Sequence, residues 1–168
     1  MTIEELNNLS ETEAKQNFLQ CCGSEAWAEM MVQHRPFSDR KQLQDIAEDI
    51  WNVAVKHEDW LEAFSAHPKI GDLDSLRKKY ASTKKWAVGE QSGTAQASEE
   101  VLKGLAEDNQ KYEDKFGYIF IVCATGKSAK EMLDLLENRL DNDPENEIRI
   151  AADEQRKITE IRLNKLLD

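Results

Sequence analysis

The chain has 168 residues, and its 33 acidic against 22 basic side chains give a formal net charge of −11. That length is one domain of ordinary size, able to bury a core without disulfides or a structural metal. A surface this acidic repels phosphate backbones, no apolar run nears the roughly 20 residues of a membrane helix, and 40% hydrophobic side chains are too many for a disordered chain; nucleic-acid and membrane partners are therefore not expected.

Helix starts are marked first by Thr2 with Glu5 and by Ser10 with Glu13, both in capping-box spacing. Phe18, Leu19 and Cys22 then share a face until Gly23. A short helix from about Ser24 carries Trp27, Met30 and Met31 as far as Pro36. Ser38 is placed to cap the next, in which Leu43, Ile46, Ile50 and Val53 recur at three and four residues as one helical stripe. Trp60, Leu61 and Phe64 hold a helical phase up to His67, where the following Pro68 disfavours further helix. Residues 68–98 contain Gly71, Gly89 and Gly93 and few apolar side chains. Apart from a short helix capped by Asp72 and bearing Leu73, Leu76 and Tyr80, they read as a long loop, and such loops are often functional. Regular spacing resumes with Val101, Leu102, Leu105, Asn109, Tyr112 and Phe116, stopped by Gly117. The apolar run 118–124 fits a buried strand or a buried loop equally. Ser128 caps a helix with Met132, Leu135, Leu136 and Leu140, and Asp143-Pro144 opens the last one. The expected architecture is all-α: a single compact domain, residues 1–168, of about seven or eight helices.

The three cysteines, Cys21, Cys22 and Cys123, are odd in number, two are adjacent, and no C-x-x-C exists. Reduced thiols in a cytoplasmic protein fit this better than a disulfide framework or zinc site. The polar, acidic start is unlike a signal peptide. Three places carry candidate chemistry. In HPKIGD, residues 67–72, His67 is held by Pro68 and a turn at Gly71, which suits proton transfer near neutral pH; a histidine resting on a helix dipole reads the same way locally. In WAVGEQSG, residues 86–93, glycines flank Glu90 and Gln91 and allow close backbone approach to a ligand; an ordinary surface loop is the plainer alternative. In the last helix, Ile148, Ala151, Ala152, Gln155, Ile158, Arg162 and Leu166 form one stripe. Arg162 on it is either a snorkelling side chain or a cation held for a carboxylate. Two apparent motifs fail. ATGKS at 124–128 lacks the upstream glycine of a phosphate loop, since Ile121 stands there, and Gly126 and Ser128 read as a turn and a cap. His34, His57 and His67 have no metal-ligand spacing, so no metal is expected.

Taken together, HPKIGD, the EQSG loop at 90–93, YEDKFGYIF at 112–120, CATGKS at 123–128 and EQRKITEIRL at 154–163 resemble the OHCU (2-oxo-4-hydroxy-4-carboxy-5-ureidoimidazoline) decarboxylase family in kind and in order. One departure is Phe-Gly-Tyr-Ile-Phe where the family often has Phe-Gly-Phe-Pro-Phe. The resemblance implies an all-helical, cofactor-free homodimer that turns the small molecule OHCU into (S)-allantoin and carbon dioxide. It makes His67 the catalytic proton donor and Glu90 the catalytic glutamate. Pro68, the loop residues Ala87, Val88, Gly89 and Gln91, the run Ile119, Phe120, Ile121, Val122 and Cys123, and Arg162 become substrate-binding positions. A non-catalytic helical interaction module and a hydrolase of a related ureide remain as alternatives.

Overall fold

The computed structural model describes residues 1–69, 73–86 and 92–168. Among the described residues there are nine α-helices and no strand: α1 (Ile3–Asn8), α2 (Glu11–Cys21), α3 (Glu25–Gln33), α4 (Arg40–Asp49), α5 (His57–Ser65), α6 (Leu73–Trp86), α7 (Ser92–Phe116), α8 (Ala129–Leu140) and α9 (Pro144–Leu166). The all-α class is as expected. The chain forms two compact units, one of residues Met1–His67, Ile121–Cys123 and Arg149–Asp168, the other of Pro68–Phe120 and Ala124–Ile148.

In the first unit the capping boxes act as local start signals. The Thr2 hydroxyl accepts from Glu5 N–H at 3.1 Å and the Ser10 hydroxyl from Glu13 N–H at 3.2 Å, so each begins a helix of its own. Asp39, not Ser38, caps α4: its carboxylate accepts from Gln42 N–H at 2.8 Å, while Ser38 N–H donates to the Gln42 side chain at 2.7 Å. The expected stripe of α4 then breaks. Residues Ile50–Ala54 form a π-helical turn, closed by Val55 N–H on Ile50 C=O at 3.0 Å. The wider turn shifts the helical phase, so Ile50 and Trp51 are buried while Val53 is 82% exposed. The core is aromatic and aliphatic, with Leu6, Phe18, Trp27, Met31, Leu43, Phe64 and Leu163 fully buried. Phe18 meets Trp27 edge-on, with centroids 6.0 Å apart. The tryptophans also carry polar duties: Trp27 Nε1 donates to Ala47 C=O at 3.1 Å and Trp51 Nε1 to Ala152 C=O at 2.8 Å.

In the second unit α7 packs against both α6 and α8. Much of the stretch expected to be loop is helix, which the spacing did not show because α6 and the start of α7 lack a clear apolar stripe. The described contacts between them are polar as well as apolar: Leu76 is buried, and Arg77 pairs with Glu99. Asp72, the expected cap of α6, lies outside the described residues. Gly117, at φ +82°, ends α7 as its position suggested, and residues 118–124 follow as irregular backbone with no strand. Gly126 turns at φ +75° and Ser128 caps α8, its hydroxyl accepting from Glu131 N–H at 3.2 Å. The unit buries a charge. Glu147 is fully enclosed and receives Tyr112 Oη at 2.5 Å, Arg139 Nε at 2.7 Å and Asn142 Nδ2 at 2.8 Å, so the carboxylate is both neutralised and hydrogen-bonded.

Candidate functional site

His67 stands just past the end of α5. Its N–H still bonds Phe64 C=O at 3.2 Å, and Pro68 follows, so the histidine is fixed to the helix end rather than carried on the helix. Gly23 is what lets it sit there. A side chain at Gly23 would overlap the Cβ of Ala66, so the α2–α3 connection approaches the end of α5 at backbone distance.

The facing element is α9. Its buried stripe is not the apolar one expected through Ile158, Arg162 and Leu166. From residue 149 on, Ala151, Ala152, Gln155, Thr159, Leu163 and Leu167 are the buried positions, and Arg162 lies at the stripe's edge, half-buried. Gln155 is fully buried, and its Oε1 lies 2.5 Å from His67 Nε2. Its Nε2 donates to Thr159 Oγ1 at 3.1 Å, while the Thr159 hydroxyl donates back to Gln155 C=O at 3.0 Å. Arg162, seven residues after Gln155, points along the same side of the helix, and its Nη1 donates to Cys21 C=O at 3.4 Å.

His67 and Arg162 meet at an open cleft of about 600 Å³, whose walls include Cys21, Gly23, His67, Arg162, Lys165 and Leu166. The described lining holds two basic side chains and no acidic one, in a chain with 33 Asp and Glu. The Cys21 C=O is the one protein acceptor found for Arg162 among the described residues, which leaves most of its five donors for a ligand. Burial pushes the His67 imidazole below its ordinary value; the Gln155 hydrogen bond opposes this and the Arg162 charge adds to it. This favours the uncharged ring. Burial likewise pushes the Cys21 thiol up to about 11, so it is no thiolate nucleophile. The set can bind an anion and transfer a proton. Among the described residues no three His, Cys, Asp or Glu side chains gather as a metal site requires.

Of the positions named from sequence, His67 and Arg162 share this cleft. Ile121 and Cys123 are buried and Val122 half-buried in the same unit, where Cys123 N–H donates to Glu154 Oε1 at 3.3 Å. Pro68, Ile119 and Phe120 belong to the other unit; there Pro68 is exposed, Ile119 half-buried, and Phe120 packs beneath the Arg139 guanidinium at 4.5 Å. Ala87, Val88, Gly89, Glu90 and Gln91 lie outside the described residues. Gln155 and Thr159 were overlooked as functional positions. Their signal was present, as polar side chains on the stripe of a core-facing helix, since such groups are buried only with partners.

Comparison with known proteins follows the same line. Residues 7–164 match the sequence model of a family described as OHCU decarboxylase. The chain is 45% identical over 149 residues to the uric acid degradation bifunctional protein TTL of Arabidopsis thaliana, covering 87% of this chain and 45% of that one. It thus spans under half the length of the bifunctional relatives it matches. It is 26% identical to the 2-oxo-4-hydroxy-4-carboxy-5-ureidoimidazoline decarboxylase of Haloferax volcanii, over 97% of this chain and 94% of the other. Among solved structures it is similar to an OHCU decarboxylase crystallised in the presence of (S)-allantoin, with a TM-score of 0.70, 41% identity, and coverage of 89% of this chain and 96% of that one.

Proposed function

The chain belongs to the OHCU decarboxylase family, and from that premise we propose that it converts OHCU to (S)-allantoin and carbon dioxide in uric acid degradation. The observation that carries this reading is the cleft in which an imidazole and an incompletely partnered guanidinium meet with no acidic side chain in the described lining. The substrate is a carboxylate, and Arg162 offers it a two-pronged contact. When the carbon–carbon bond breaks, carbon dioxide departs and the bond's electron pair spreads from the hydroxyl-bearing ring carbon into the adjacent ring C=N, leaving an enol. His67 then gives a proton to the neighbouring ureido-bearing carbon on one face, which sets the hand of allantoin, while the hydroxyl yields its proton to the ring nitrogen and becomes the product carbonyl; the histidine recovers a proton from solvent. A histidine held below its ordinary value releases its proton readily, and the anionic substrate restores the charged form on binding. Glu90 engages the substrate hydroxyl. Pro68, residues 87–91 and the run 119–123 are the further substrate-binding positions that the resemblance implies. The substrate carries its own electron sink, so the chemistry requires no cofactor.

The family match runs through both compact units, which supports reading residues 1–168 as one functional domain. The three buried cysteines, none in a disulfide, support a reducing, cytoplasmic setting, and among the described residues no helix is long and apolar enough to cross a membrane. We take the active form to be the homodimer that the resemblance implies, which sedimentation would test. The decisive assay supplies freshly generated OHCU and follows optical activity. (S)-Allantoin should appear alone and ahead of the spontaneous racemic product, and His67→Asn should slow turnover roughly 10²- to 10⁴-fold with the helical spectrum unchanged. Racemic allantoin at the uncatalysed rate, or hydrolysis of the ureide instead, would overturn the proposal.

A further inference from the structure

A buried polar chain stands behind His67. Gln155 is fully buried and Thr159 is 7% exposed, so neither has solvent as a partner of consequence. The Thr159 hydroxyl has one proton, directed at Gln155 C=O 3.0 Å away, and the Cys22 thiol lies against the Thr159 hydroxyl oxygen. That oxygen therefore accepts from the Gln155 amide nitrogen, 3.1 Å away. With its NH2 committed to Thr159, the amide turns its oxygen toward His67 Nε2. An amide oxygen can only accept, so the imidazole nitrogen facing it must carry the hydrogen.

We infer that Gln155, its amide orientation locked by Thr159, is a positioning residue that fixes the tautomer of His67, spending Nε2–H on the protein and leaving Nδ1 as the nitrogen that exchanges a proton with a ligand. A histidine free to take either tautomer would present the wrong nitrogen part of the time. Here the selection is made one and two hydrogen bonds away from the reacting group. The proton-exchange half of this inference rests on the proposed decarboxylation; the tautomer half does not.

The test is ¹⁵N NMR of the imidazole nitrogens at about pH 8, where His67 is neutral. The chain has three histidines, and His67→Asn identifies the signal to follow. The wild type should show a protonated Nε2 and an unprotonated Nδ1. Thr159→Val, which keeps shape and loses the hydroxyl, should shift His67 toward a mixture, as should Gln155→Met. Thr159→Ser retains the hydroxyl and should keep the wild-type pattern. With OHCU as substrate, kcat of Gln155→Met should fall about 10- to 100-fold, the usual cost when an imidazole loses the partner of its second nitrogen. A wild-type ring protonated at Nδ1, or a Thr159→Val ring indistinguishable from wild type, would overturn the inference. The expected spectra in a chain that leaves OHCU untouched would uphold the tautomer and reject the decarboxylase reading instead.

Discussion

Protonating His67 places a charge in a half-buried site beside Arg162, so the folded chain holds that proton less tightly than the unfolded one. The sign of the consequence follows from proton counting. Below the ordinary value of 6.5 the unfolded state binds more protons, so stability rises with pH and is lost on acidification from that value down through the lowered folded one. The urea midpoint of the wild type should therefore fall relative to that of His67→Asn as pH drops through this window; a constant difference would show that the folded and unfolded rings titrate alike. Arg162 makes a complementary case. Its 3.4 Å bond to Cys21 C=O is long, so Arg162→Met should cost little stability. If the guanidinium holds the substrate carboxylate, KM should rise about 10- to 100-fold, the worth of a charge-assisted hydrogen bond, with kcat less affected. Steady-state kinetics separates the two. Arg162 could be picked from the sequence because a cation on a core-facing stripe is out of character. Gln155 stands on the same stripe, but the histidine it would pair with is not legible until its neighbours in space are known.

Helix placement was legible wherever the signal is local. A hydroxyl three residues before a glutamate, a glycine past the last apolar position and a proline at the first turn each act within one helical turn. Two features escaped that reading. The π-helical turn Ile50–Ala54 moves Val53 outward, and no residue type announces the shift. Helix α6 and the first turns of α7 carry too few apolar side chains to register as helices by spacing. The element-level requirement of the site is the contact of Gly23 with Ala66. Gly23→Ala should destabilise the chain by about 1–3 kcal/mol through overpacking and lower turnover by displacing His67. Adding Ala66→Gly should recover most of both losses. Failure of that second change to rescue would mean that Gly23 matters for some reason other than this approach.

At the scale of the whole chain, the unit that holds the cleft is assembled from three separated segments, the last of them residues Arg149–Asp168. That segment brings Ala151, Ala152, Leu163 and Leu167 to the core and the carbonyl that Trp51 bonds. A chain ending at Ile148 should therefore lose the cooperative unfolding transition seen by the fluorescence of Trp27, Trp51 and Trp60; a retained transition would show that the unit is stable without α9. The amino-acid sequence by itself determined the helical class, most of the helix starts and, through shared motifs, the family. Those properties reside in patterns a few residues long or in ordered combinations of them. Only the tertiary structure decided that His67 faces Gln155 across 88 positions and shares a cleft with Arg162. Such a meeting depends on how α5 and α9 pack, and packing is set by the shapes of many distant side chains at once rather than by any local pattern.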